Sequence, residues 1–169
     1  MSALLALVLI ASPAHALSVC RGLDISEGDP RRGPALVITD GVSSLRQIDG
    51  QPVLSVPFYE AGAITQNVPA GTEIDWSLAD GSLVTLVSQE SATPSSITYG
   101  GDGAVGINTR WLLGFVLTDD VLHALARSPL THLRYTLVST PVDVEVRRRR
   151  AVGWQRLAAC YAMRTAEGT

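Results

Sequence analysis

The chain has 169 residues, of which 46% are hydrophobic and 17% charged, and a formal net charge of −3. That length and apolar content suit a single folded domain with a real core and exclude a disordered chain. All thirteen basic residues are arginine, which excludes Schiff-base chemistry on lysine and a P-loop lysine.

The charge is unevenly spread. Between residues 17 and 146 fifteen acids face seven arginines, whereas from residue 147 onward six arginines face Glu167 alone. An acidic body with a short basic tail argues against a nucleic-acid partner, which calls for a broad positive field.

Residues 1–16, "MSALLALVLIASPAHA", read as a signal peptide: an apolar stretch over 3–11, a helix-breaking Pro13, and small residues at Ala14 and Ala16 forming an A-x-A cleavage site. No basic residue precedes the apolar stretch, a departure from the usual pattern. The stretch is shorter than the roughly 20 residues that span a bilayer, so no transmembrane segment is expected in the mature chain, residues 17–169, which reads as one β-rich domain, secreted or periplasmic. A lipid anchor at Cys20 is the lesser reading, because Val19 stands where a lipidation motif wants a small residue. Cys20 and Cys160 are the only cysteines. In an oxidising compartment they are expected to form one disulfide across a long loop.

Residues 23–34, "LDISEGDPRRGP", bring Asp24, Glu27 and Asp29 into an expected acidic surface loop. Calcium takes clustered oxygen ligands, but the spacing does not match an EF-hand, and no metal is expected. Residues 34–39 then form a short apolar run ending at an Asp40-Gly41 turn. Residues 52–59, "PVLSVPFY", alternate as a strand, which Pro57 assigns to a sheet edge or a bulge. In residues 72–89, Ile74, Trp76 and Leu78 alternate with polar residues, Asp80-Gly81 turns the chain, and alternation resumes through Leu83, Thr85 and Val87. Asp-Gly between alternating runs predicts a hairpin with a type I′ turn.

"GGDGAVG", residues 100–106, contains G-x-G-x-x-G at Gly101, Gly103 and Gly106. Dinucleotide binding needs a helix after such a loop, and here a β-like run follows, so a flexible turn is expected. That run, residues 108–118, is continuously apolar and reads as a central strand covered on both faces. Thr118 then caps a short helix: Asp119 and Asp120 sit in its first turn, where the dipole favours anions, and Pro129 stops it. Two half-buried antiparallel strands follow, with Leu133, Tyr135 and Leu137 on one face of the first and Val142, Val144 and Val146 on one face of the second. In the closing helix Trp154, Leu157, Ala158 and Tyr161 form one apolar stripe, with Cys160 on its flank.

The arginine run Arg147, Arg148, Arg149 and Arg150 is the candidate binding site. If the strand continues through Arg148, alternate arginines face opposite ways, and Arg149 and Arg150 fall in the connection to the helix. The run is then a solvated strand end or a contact for an anionic glycan, lipid headgroup or envelope polymer. His123 and His132 are not spaced as paired zinc ligands, and neither H-E-x-x-H nor G-x-S-x-G occurs. No catalytic residue and no cofactor are assigned.

The segment from Arg110 to Tyr161, with "LTDDVLHALA", "THLRYTL" and "VDVEV" in order, resembles the C-terminal part of uncharacterised secreted bacterial proteins. The resemblance covers about a third of the chain and implies no activity and no catalytic residues. The sequence therefore predicts a mainly β domain, a β-sandwich or antiparallel sheet, with two short helices, the C-terminal one packed on a sheet face. The expected role is an exported noncatalytic module contacting an envelope protein or anionic polymer. The alternative is a small secreted hydrolase with a site assembled from loops.

Overall fold

The computed structural model describes residues 19–28, 36–101, 104–138 and 141–167. The signal-peptide segment and Asp29 lie outside the described residues. In chain order the elements are β1 (Asp24–Glu27), β2 (Leu36–Thr39), β3 (Ser44–Ile48), β4 (Gln51–Ala61), β5 (Glu73–Leu78), β6 (Leu83–Val87), β7 (Ser95–Gly101), β8 (Ala104–Val116), α1 (Asp119–Arg127), β9 (Leu130–Thr136), β10 (Pro141–Glu145) and α2 (Arg148–Glu167). The strands form two antiparallel sheets, one of six in the order β1-β2-β3-β4-β8-β7 and one of four in the order β10-β9-β5-β6. The fold is thus mainly β with two helices, and the C-terminal one lies against β9, β2 and β3.

Alternation builds the core. Leu54, Val56 and Phe58 of β4 and Trp111, Leu113 and Phe115 of β8 are buried on one side of the larger sheet, and Ile74, Trp76, Val84 and Leu86 are buried on one side of the smaller. These residues belong to a single apolar cluster that also takes in Leu122 and Leu125 of α1 and Trp154, Leu157 and Tyr161 of α2. β8 is not covered on both faces as its composition suggests: Trp111 and Leu113 are fully buried, whereas Leu112 between them is 51% exposed. A run of apolar letters conceals a period of two when the outward positions are also apolar.

Pro57 sits inside a sheet, opposite Leu112 of β8. β3 pairs with β4 only over residues 51–55, so Pro57 lies past the end of β3, where β4 has one neighbour among the described residues and a missing N–H is tolerated. The chain then crosses to the second sheet. That crossing is pinned on β8: the Thr109 hydroxyl donates to the Gly62 carbonyl (2.7 Å) and accepts from the Ile64 N–H (2.8 Å), and the Trp111 indole donates to the Gln66 carbonyl (3.1 Å).

One turn differs from expectation in chemistry. At the β5–β6 hairpin the Gly81 N–H bonds the Leu78 carbonyl and the Leu78 N–H bonds the Ser82 carbonyl, while Gly81 has φ 87° and Asp80 is not in the positive region. That is a three-residue loop with a bulge at glycine, not a type I′ turn. The type I′ pattern falls instead at Asp49-Gly50, φ 50° and 78°, joining β3 to β4. Two more predictions are corrected. Asp24 and Glu27 lie on a strand, not a loop. The strand before the arginine run ends at Glu145, and α2 begins at Arg148 and runs for 20 residues.

Candidate functional site

The arginine run is the first turn of α2. The Arg147 carbonyl accepts from the N–H groups of Arg150 (2.8 Å) and Ala151 (3.1 Å), opening the helix. Arg149 and Arg150 are therefore helical residues and not part of a connection, because the half-exposed Val146 closes the β-pattern and Ala151 and Trp154 start the helical stripe at a three-residue spacing. No acid stands in that first turn. All four arginines are exposed, and none forms an ion pair among the described residues.

They line a cavity of about 910 Å³, together with Arg156, Asp40, Val42 and the backbone turn at Gly22 and Leu23. Each wall has its own support. The Asp40 carboxylate accepts from the N–H groups of Val42 (2.9 Å) and Ser43 (2.7 Å), which fixes the β2–β3 turn beneath Gly153 of the helix. The N-terminal wall is tied to α2 by the Cys20–Cys160 disulfide, whose Cα atoms are 5.1 Å apart. Arg156 reinforces it by donating to the backbone carbonyls of Val19 and Arg21. In the disulfide the Cys20 sulfur is not available for a lipid.

Trp154 forms the inner support of the arginine turn. It is 5% exposed, its indole N–H donates to the Ser43 hydroxyl at 2.8 Å, and its ring stacks on Trp76 with centroids 5.0 Å apart at 14°. Arg150 also lies over that ring, 5.3 Å from its centroid, a cation–π contact. Arg150 is thereby held, while Arg147, Arg148 and Arg149 are the ones open to a ligand. Nearby, the Tyr135 phenol is raised above its ordinary pKa by burial, with the Glu60 charge adding to the shift and Arg150 opposing it.

The remaining candidates are scattered. Asp24 and Glu27 stand at positions of opposite parity on β1 and so on opposite faces, and Glu27 is engaged by Arg164 of α2. Gly101 and Gly106 belong to the β7–β8 hairpin, so no helix follows that glycine pattern. His123 is exposed on α1. His132 enters a row that sequence inspection did not find: it pairs with Ser77 of β5 on one side and Glu145 of β10 on the other. Only strand register reveals such a row, since the three residues lie far apart in the chain. Ser77 and His132, but not Glu145, line a hollow of about 320 Å³ on the outward face of the smaller sheet, with Asp75, Arg134 and Asp143. Among the described residues no hydrogen bond joins His132 to Ser77 or Glu145, whereas the next row is engaged, with Thr85 donating to Asp75 (2.7 Å) and Arg134 to Asp143 (3.0 Å).

No family model, curated protein or solved structure matches this chain. Among the described residues no helix is long and apolar enough to cross a membrane.

Proposed function

We propose that the protein is an exported, noncatalytic binding module whose arginine-lined cavity holds a segment of an anionic polymer. One observation carries this reading: the arginines crowd the positive end of a long helix, where they oppose the helix dipole, with no acid in the turn to offset them. Cations there cost stability, so their placement makes sense as recognition of negative charge, which the positive end of the helix dipole also favours. The disulfide supports an oxidising location outside the cytoplasm.

Dextran sulfate and polyphosphate are suitable probes, with neutral dextran as control. The expected result is binding of both polyanions, weakening as salt is raised, and a loss of about tenfold or more in affinity for the Arg148→Ser/Arg149→Ser variant. Equal affinity in wild type and variant would overturn the reading. The hydrolase alternative rests on the Ser77–His132–Glu145 row alone; ester turnover by the wild type that His132→Ala abolishes would favour it.

A further inference from the structure

We propose that the outer edge of β7 is a self-association edge, on which a second copy of this chain pairs its own β7 antiparallel, about a two-fold axis at Thr98. This rests on observations separate from the arginine cavity.

β7 is the last strand of the larger sheet and, among the described residues, is hydrogen-bonded to β8 alone. Every residue from 95 to 100 is exposed, and the strand "SSITYGG" contains no charge and no proline. An unpaired edge of this kind offers a row of free backbone donors and acceptors, and folded proteins ordinarily guard such edges with charge, proline or cover. The other three edges here are guarded. β1 carries Asp24 and Glu27, and β10 starts at Pro141 and carries Asp143 and Glu145. β6 has five residues and is drawn under β8 at its end, where Ser88 bridges Phe115 and the Gln89 N–H bonds the Gly114 carbonyl.

The side chains of β7 match themselves. In the register centred on Thr98, Ile97 of each copy lies opposite Tyr99 of the other, so one face carries two β-branched–aromatic pairs. On the opposite face Thr98 meets Thr98, flanked by Ile107, its partner on β8. Both kinds of cross-strand pair are favourable, and no like charges meet. The same neutrality fits a second copy better than a charged peptide.

Tyr99 is also prepared for contact. Its ring lies over Gly106 of β8 so closely that a Cβ there would come within 2.3 Å of it. Glycine at that position lets the ring lie flat on the sheet, yet the side chain remains 55% exposed. A held aromatic plate loses little conformational freedom on docking. The strand pairing alone is small beside the roughly 1,200 Å² of a stable interface, so the dimer is weak and dependent on concentration.

The experiment uses the disulfide-bonded mature chain carrying Thr98→Cys, mildly oxidised, with Leu83→Cys on the β6 edge as the exposed control. The expected result is a covalent dimer that forms about tenfold faster for T98C than for L83C, and a wild-type sedimentation coefficient that rises with concentration. Ile97→Lys, or independently Ser96→Glu if the first variant misfolds, should abolish both effects while leaving polyanion binding unchanged. T98C linking no faster than L83C would overturn the proposal, whether or not the wild type dimerises, because any dimer would then use another surface.

Discussion

Trp154 decides how the arginine turn is held, and each of its contacts has its own cost of removal. The indole N–H reaches the buried Ser43 hydroxyl, so Ser43→Ala leaves a buried donor unpaired at a cost of about 1–2 kcal/mol. Trp154→Ala also removes the stacking on Trp76 and opens a cavity, and is expected to cost about 3–5 kcal/mol. Denaturant titrations of the two variants should give midpoints in that order. If Ser43→Ala matched the wild type, the hydrogen bond would contribute nothing. That Trp154 faces inward was legible in the sequence, because Leu157, Ala158 and Tyr161 share its face at helical spacing. Its partners were not: Ser43 is more than a hundred residues away and stands in a turn with no periodicity to mark which way it points.

At the level of elements, legibility followed regular spacing more than burial: β10 could be read from its alternating valines, yet it is largely exposed and not half-buried as expected, with Val144 41% exposed. The β5–β6 hairpin, α1 and β9 could be read because each buries one face, and alternation or a helical stripe records that burial. β1 and β7 were missed because neither buries a face; sheet hydrogen bonds hold them, and these leave no trace in residue choice. The boundary between β10 and α2 was lost for a related reason, since four successive arginines fit strand and helix equally well. That ambiguity has a thermodynamic counterpart. Arginine is a good helix former by intrinsic propensity but is disfavoured in a first turn, where the dipole repels it. Replacing Arg148 and Arg149 by glutamate should therefore raise stability by about 0.3–1 kcal/mol per site while removing polyanion binding. Thermal unfolding and a binding titration on the same variant would check both signs. A loss of stability would mean that these arginines are bound within the fold and not held ready for a ligand.

Across the whole molecule, the Cys20–Cys160 bridge joins residues 140 apart in sequence. The chain-entropy model gives about 4–5 kcal/mol for closing so long a loop, an upper figure. The two ends it joins are unequal. Cys160 is fully buried in α2, whereas β1 beyond Cys20 is four exposed residues held by β2, by Arg156 on the preceding carbonyls and by Arg164 on Glu27. Without the bridge, these contacts must offset the entropy of ordering the segment, roughly 1–2 kcal/mol per residue for the backbone. Exposed ion pairs contribute little of that. The Cys20→Ala/Cys160→Ala variant should therefore open locally before it unfolds globally: amide exchange in β1 rises to nearly unfolded rates while β8 stays protected, and the global unfolding midpoint falls. Gly22 and Leu23 line the arginine cavity, so the same opening removes one wall of it, and polyanion affinity should fall even though every arginine is retained. Protected β1 amides in that variant would show that strand pairing alone holds the wall, leaving the bridge to act only on the unfolded chain.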